Sequence, residues 1–252
     1  MASISVGMTD APSGKPGQSL PAAANAKAVE AFLRQAALAP RPVPQTGRGR
    51  LIFAMDATAS RGGTWAEAQK IQAEMFKAVA GLGGLDIQLV FFRGMGECRA
   101  SPWVSDAQAM LRLMRQVECV GGHTQIERVL RHTAAEAREA VANGARVNAL
   151  VYVGDCLEES PDEVAAKAGE LGLLGVPIFA FQEGEEPTAR ACFKDMARLT
   201  RGAFGAFDAA SAATLLQLLT AVAVYAAGGY KALSQYSANA GAEVRRLTSQ
   251  LG

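Results

Sequence analysis

The 252 residues are half apolar and carry a formal net charge of +1, which gives no global electrostatic case for a nucleic-acid partner or an anionic membrane. That length accommodates one α/β domain with a full core plus terminal extensions. Cys98, Cys119, Cys156 and Cys192 are unevenly spaced and contain no CxxC pair, so neither a zinc knuckle nor a disulfide framework is expected.

Residues 1–21 are rich in Pro, Gly and Ser and are expected to be disordered. They lack the basic n-region and apolar h-region of an export signal, which points to a cytoplasmic protein. Ala22–Leu38 reads as a docking helix with Val29, Phe32 and Leu33 on one face, ended by Pro40, Pro42 and Pro44. A regular alternation then begins. Leu51–Met55 is a strand apolar on both faces, and Thr64–Leu82 is an amphipathic helix with Ala68, Ile71, Met75 and Val79 turned inward. Asp86–Phe92 is a second strand, and Gly94 and Gly96 allow a tight reversal into a short edge strand over Glu97–Val104. Ser105 is positioned to cap a helix carrying Met110, Leu111 and Met114, and another helix runs from Gln125 to Ala142.

Val147–Val153 is the next buried strand, and Ser160-Pro161 starts a helix with Ser as its cap and Pro in its first turn. Strands at Val176–Phe181 and Ala203–Phe207 and a helix near Ala189–Thr200 follow. Ala212–Ala227 is too short for a membrane span, which needs ~20 residues, and reads as a core helix. Ser234–Leu251 reads as a polar terminal helix. Strands separated by helices predict a doubly wound, mainly parallel α/β sheet with one short antiparallel edge strand and helices on both faces. The corresponding organisation is a tail over 1–47, a domain over 48–227 and a C-terminal helix within 228–252.

Three loops leave the C-terminal ends of buried strands or lie where the ligand crevice of such a sheet opens. They are Asp56-Ala-Thr58-Ala-Ser60, Gly121-Gly122-His123-Thr124 and Gly154-Asp155. Together they offer two carboxylates and three hydroxyls, a hard oxygen donor set that suits Mg²⁺, with Mn²⁺ or Ca²⁺ as substitutes. Two acids leave such a cation under-neutralised and receptive to a carboxylate from outside.

These loops resemble the metal-ion-dependent adhesion site of the von Willebrand factor A (VWA) domain family, an Asp-x-Ser-x-Ser loop with a distant Thr and a later Asp. Asp56 matches the first Asp, Thr58 the first Ser with its hydroxyl preserved, Ser60 the second Ser, Thr124 the distant Thr and Asp155 the final Asp. The resemblance covers about residues 48–227, and the stretch from Gly154 to Gly184 is similar to bacterial VWA proteins of this size. It implies a Rossmann-like sheet and non-catalytic, metal-dependent binding of a protein partner whose Asp or Glu completes the coordination sphere. The family's final Asp is usually followed by Gly, whereas Cys156, Leu157, Glu158 and Glu159 follow here. Glu158 and Glu159 read as a solvated charge run, and His123 as an exposed loop residue. Taken alone, Thr124 also reads as an ordinary helix N-cap.

Two other functions compete. One is a VWA scaffold with a degenerate metal site. The other is a Mg²⁺-dependent haloacid dehalogenase-like phosphatase, whose later acidic motif is imitated by Gly154-Asp155-Cys-Leu-Glu158-Glu159. That chemistry needs a second acid two positions after the nucleophilic Asp, where Thr58 stands here. It also commonly uses a Lys between the two acidic motifs, and none occurs from Ala78 to Ala166. The sequence leaves the oligomeric state and the identity of a partner open.

Overall fold

A computed structural model describes residues 48–79, 82, 84–207 and 212–239. Six strands form one sheet: β1 (Gly49–Asp56), β2 (Leu85–Arg93), β3 (Glu97–Ala100), β4 (Ala149–Gly154), β5 (Ile178–Glu183) and β6 (Ala203–Phe207). Their order is β3-β2-β1-β4-β5-β6, with β3 antiparallel to β2 and every other pair parallel. The parallel pairs require crossovers, supplied by α1 (Gly62–Val79), α2 (Ala107–Arg115), α3 (Ile126–Ala142), α4 (Pro161–Leu173) and α5 (Pro187–Leu199), and α6 (Ala212–Asn239) follows the last strand.

The central strands β1 and β4 are apolar along nearly their whole length because both faces of the sheet are covered there. In β1, Leu51, Phe53 and Met55 join Trp65, Met110, Leu219 and Tyr225 on the face of α1, α2 and α6. Ile52 and Ala54 join Val129, Leu130, Val164 and Phe193 on the face of α3, α4 and α5. These β1 side chains are at most 2% exposed, and full burial of each large one contributes about 1.5–3 kcal/mol. Ala68 of α1 is buried as expected; the inward placement assigned to Ile71, Met75 and Val79 concerns side chains outside the described set.

Local signals were displaced in several places. The edge strand stops at Ala100, and the chain returns to the sheet only at Val104, which bridges Ile87. Asp106, not Ser105, caps α2: its carboxylate accepts from Ala109 N (2.8 Å), while the Ser105 hydroxyl donates to Asp86 Oδ1 (2.8 Å). Ser160 holds the cap position of α4 without a side-chain bond, and the start signals are Pro161 and the acids Asp162 and Glu163 in the first turn. α6 consists of two helical segments meeting at Gly229, whose φ of 70° and ψ of −169° are not helical. Of the terminal helix expected over Ser234–Leu251, residues 234–239 belong to α6 and the rest lie outside the described residues, as do the tail and docking helix expected over residues 1–47.

The strand order fixes where a ligand crevice forms. From β1 the chain moves outward through β2 to β3, then returns to place β4 on the other flank of β1. The order reverses between β1 and β4, and a crevice opens at the C-terminal ends of two such strands. Asp56 ends β1 and Asp155 directly follows β4.

Candidate metal centre at the β1–β4 switch point

Asp56 is fully buried, and its Oδ1 accepts the Thr58 N–H (2.7 Å), which bends the chain off β1 into a short 3₁₀ turn over Ala59–Arg61. That turn carries Ser60 toward β4, where its hydroxyl donates to Asp155 Oδ2 (3.0 Å). A serine has one hydroxyl proton, so the 3.2 Å contact between the Thr58 and Ser60 oxygens is donated by Thr58. The result is a directed chain, Thr58 to Ser60 to Asp155, in which both hydroxyl oxygens keep lone pairs. Asp155 Oδ1 is buried and has no hydrogen-bond partner among the described residues. Beside it, burial pushes the Cys156 thiol up to about 12, and the charge of Asp155, a hydrogen bond to the Asp155 side chain and the charges of Asp56 and Glu158 push it the same way. The thiol is therefore protonated at neutral pH.

The second loop is bonded to the first and third. Val120 N–H donates to Ala57 O (3.0 Å) and His123 N–H to Gly94 O (3.1 Å). A Cβ at Gly122 would lie within 2.3 Å of Gly94 backbone atoms, so this approach of the loop to the β2–β3 turn requires glycine. Thr124 is buried, and its hydroxyl accepts from Glu158 N (3.0 Å) while its own N–H donates to Glu158 Oε2 (2.7 Å). Gln125, not Thr124, stands at the α3 N-cap position, and it makes no side-chain capping bond.

Glu158 is exposed and Glu159 half-buried, yet both carboxylates are bonded to backbone N–H groups. Glu159 accepts the N–H groups of Ile126 (2.5 Å) and Glu127 (2.9 Å), closing the positive end of α3, and Glu158 also pairs with His123 Nδ1 (3.2 Å). The two acids clamp the Thr124 loop to the Asp155 loop. Their sequence signal was an acid pair without a cationic neighbour, which does not show that the partners are backbone N–H groups some thirty residues away.

Asp56, Thr58, Ser60 and Asp155 are thus brought into one hydrogen-bonded group, and Thr124 is tied to the same loops through Glu158. The described residues contain no cluster of three or more His, Cys, Asp or Glu able to hold a metal. The donors on offer are two carboxylates and neutral hydroxyls, which fit a hard cation that keeps several waters. The four cysteines are all free thiols.

No family model and no curated protein matches the chain. Solved structures do. A von Willebrand factor type A protein from Catenulispora acidiphila matches with a TM-score of 0.55 and 18% identity over 70% of this chain and 43% of its own. The SpRpn10 VWA domain matches with a TM-score of 0.54 and 14% identity over 72% of this chain and 97% of its own. Proximal thread matrix protein 1 from the mussel byssus, in a form with a zinc-occupied MIDAS motif, matches with a TM-score of 0.53 and 15% identity over 74% of this chain and 47% of its own. The chain spans less than half the length of the first and third of these. It has the von Willebrand factor A fold. No helix among the described residues is long and apolar enough to cross a membrane.

Proposed function

We propose that the chain is a metal-ion-dependent protein-binding module that is not catalytic and acts in the cytoplasm. Asp56 and Asp155 supply charge to a Mg²⁺ ion, Thr58, Ser60 and Thr124 supply neutral oxygens directly or through water, and an Asp or Glu of a protein partner completes the shell. The observation that carries this reading is the group at the switch point: Ser60 bonded to Asp155 Oδ2, with Asp155 Oδ1 buried and lacking a hydrogen-bond partner among the described residues. A buried acceptor without a donor is costly, and a cation bound there offsets that cost. The byssus protein's zinc-occupied MIDAS motif, on the same fold, is consistent with a divalent ion at this place.

The phosphatase alternative is disfavoured by what its acidic residues do. Glu158 and Glu159 are engaged by backbone N–H groups of the Thr124 loop and α3, and Thr58 donates its proton to Ser60 instead of standing as a second acid. The test is a Mn²⁺ titration of metal-stripped protein followed by water-proton relaxation, with Asp56→Ala as control and acetate added afterwards. Saturable binding lost in the variant, with acetate displacing water from the bound ion, supports the module. Absent binding, or equal binding by the variant, establishes the degenerate-scaffold reading instead.

A further inference from the structure

Among the described residues, five large apolar side chains are exposed. Leu82, Val141 and Leu173 stand at the end of the sheet where the parallel strands begin: Leu82 precedes β2, and the other two lie in the last turns of α3 and α4, ahead of β4 and β5. Met95, 84% exposed, and Val120, 46% exposed, stand at the opposite end, where β1 and β4 open into the candidate metal centre.

Backbone hydrogen bonds place both beside that centre. Val120 N–H donates to the carbonyl of Ala57, the residue between Asp56 and Thr58 (3.0 Å). Met95 is at the tip of the β2–β3 turn, whose Gly94 carbonyl accepts from His123 N–H (3.1 Å) and whose backbone lies against Gly122. Val120 and Met95 thus flank the Gly121-Gly122 pair on segments bonded to the Asp56 and Thr124 loops. Neither has a local reason to be apolar. Gly94 (φ 60°) and Gly96 (φ 136°) make the turn, and the position between them ordinarily suits Asn, Asp or Ser. Val120 belongs to no helix or strand, and neither side chain joins a buried cluster.

The rest of this rim is bare. Gly62, Gly63 and Gly121 are exposed, none has a left-handed φ, and a Cβ at any of them would meet no atom within 4 Å. The fold itself therefore does not require glycine at these positions, and uncovered backbone there lets another chain come close to Ser60 and Thr124. Glu118 and Glu158 are exposed at the same end and disfavour a second acid on that chain. On the metal-dependent reading of the Asp56 group, on which this rests, we infer that the partner presents a single carboxylate on a protein segment whose neighbouring residue is apolar. That neighbour rests on Met95 and Val120, while the segment's backbone passes over the glycines. Met95, unbranched and polarizable, adapts to apolar side chains of different shape.

The test is titration of the Mn²⁺-loaded full chain with two capped tripeptides, acetyl-Leu-Glu-Leu-amide and acetyl-Ser-Glu-Ser-amide, followed by water-proton relaxation of the bound ion. The leucine peptide is expected to bind about tenfold more tightly, the gain from covering a leucine side chain. Met95→Ser and Val120→Ser each reduce that preference, by about threefold, and leave the affinities for Mn²⁺ and the serine peptide unchanged. Leu173→Ser, which removes a leucine that is 92% exposed at the far end of the sheet, leaves the preference intact. Equal affinities for the two peptides, a preference that survives both rim variants, or one that Leu173→Ser also removes overturns the inference. Peptide binding that needs Mn²⁺ and is lost in Asp56→Ala would still uphold the metal-dependent reading in that case. If neither peptide binds the Mn²⁺-loaded chain, the partner-carboxylate reading fails and this inference falls with it.

Discussion

His132 on α3 shows how a single side chain sets a pH dependence. Its Nε2 lies 2.8 Å from Gln88 Oε1, and the Gln88 amide nitrogen faces Glu136, so the ring donates through Nε2–H. Burial holds its pKa below the ordinary 6.5, and the Glu136 carboxylate offsets this only in part. The folded chain therefore resists a proton that the unfolded chain accepts near 6.5. Below that value the unfolded state binds more protons, and stability falls as pH drops toward the depressed folded value. Urea midpoints at about pH 7.5 and about pH 5.5 should show a larger acid loss in the native sequence than in His132→Gln. An equal loss in both would assign the effect to carboxylates instead. The residue-scale surprises have a common cause: Asp106, Glu158 and Glu159 act on backbone N–H groups, whose positions exist only after folding. Asp56, Thr58, Ser60 and Asp155 could be picked out because hydroxyls and acids fell at the ends of apolar strands, whereas Thr124 precedes α3 and was singled out through the family resemblance.

At the scale of elements, Gly229 divides α6. Its φ of 70° with ψ of −169° falls in a region that is essentially reserved for glycine. Gly229→Ala is expected to cost about 1–3 kcal/mol, read as a lowered urea midpoint with an unchanged slope. An unchanged midpoint would mean that the two segments straighten into one helix without loss. The division was legible as the end of the core helix at Ala227, just before Gly228-Gly229, although a glycine pair does not announce its dihedral angles. The parallel strands were read more directly. Leu51–Met55 and Ala149–Val153 are continuous apolar runs, and such runs fit a sheet covered on both faces. The edge strand was overextended for a related reason: residues Ser101–Val104 continue a β-like composition, yet the Ser101 hydroxyl donates to Pro102 O while Leu89 N–H donates to Ser101 Oγ, which ends the ladder.

For the whole molecule, the three loops at the switch point are held by bonds that also join the two halves of the sheet. Ser60 reaches Asp155 across β1 and β4, Val120 reaches Ala57, and Thr124 and Glu158 bind each other through two hydrogen bonds. An unfolded chain scatters Asp56, Thr124 and Asp155, which lie far apart in sequence, so a cation with this donor set binds the folded state selectively. Selective binding stabilises by mass action, about 2.7 kcal/mol at a hundredfold excess over Kd. For a domain of this size that corresponds to a rise in Tm of roughly 5–10 °C. Thermal melts in EDTA and in increasing Mg²⁺ should show Tm climbing with the logarithm of free Mg²⁺ once Kd is passed, and Asp56→Ala should remove the climb. A partner carboxylate added at saturating metal should raise Tm again, because it too binds only the assembled site. If Mn²⁺ binds but Tm stays flat, the ion sits on a surface that survives unfolding, and the crevice between β1 and β4 is not its place.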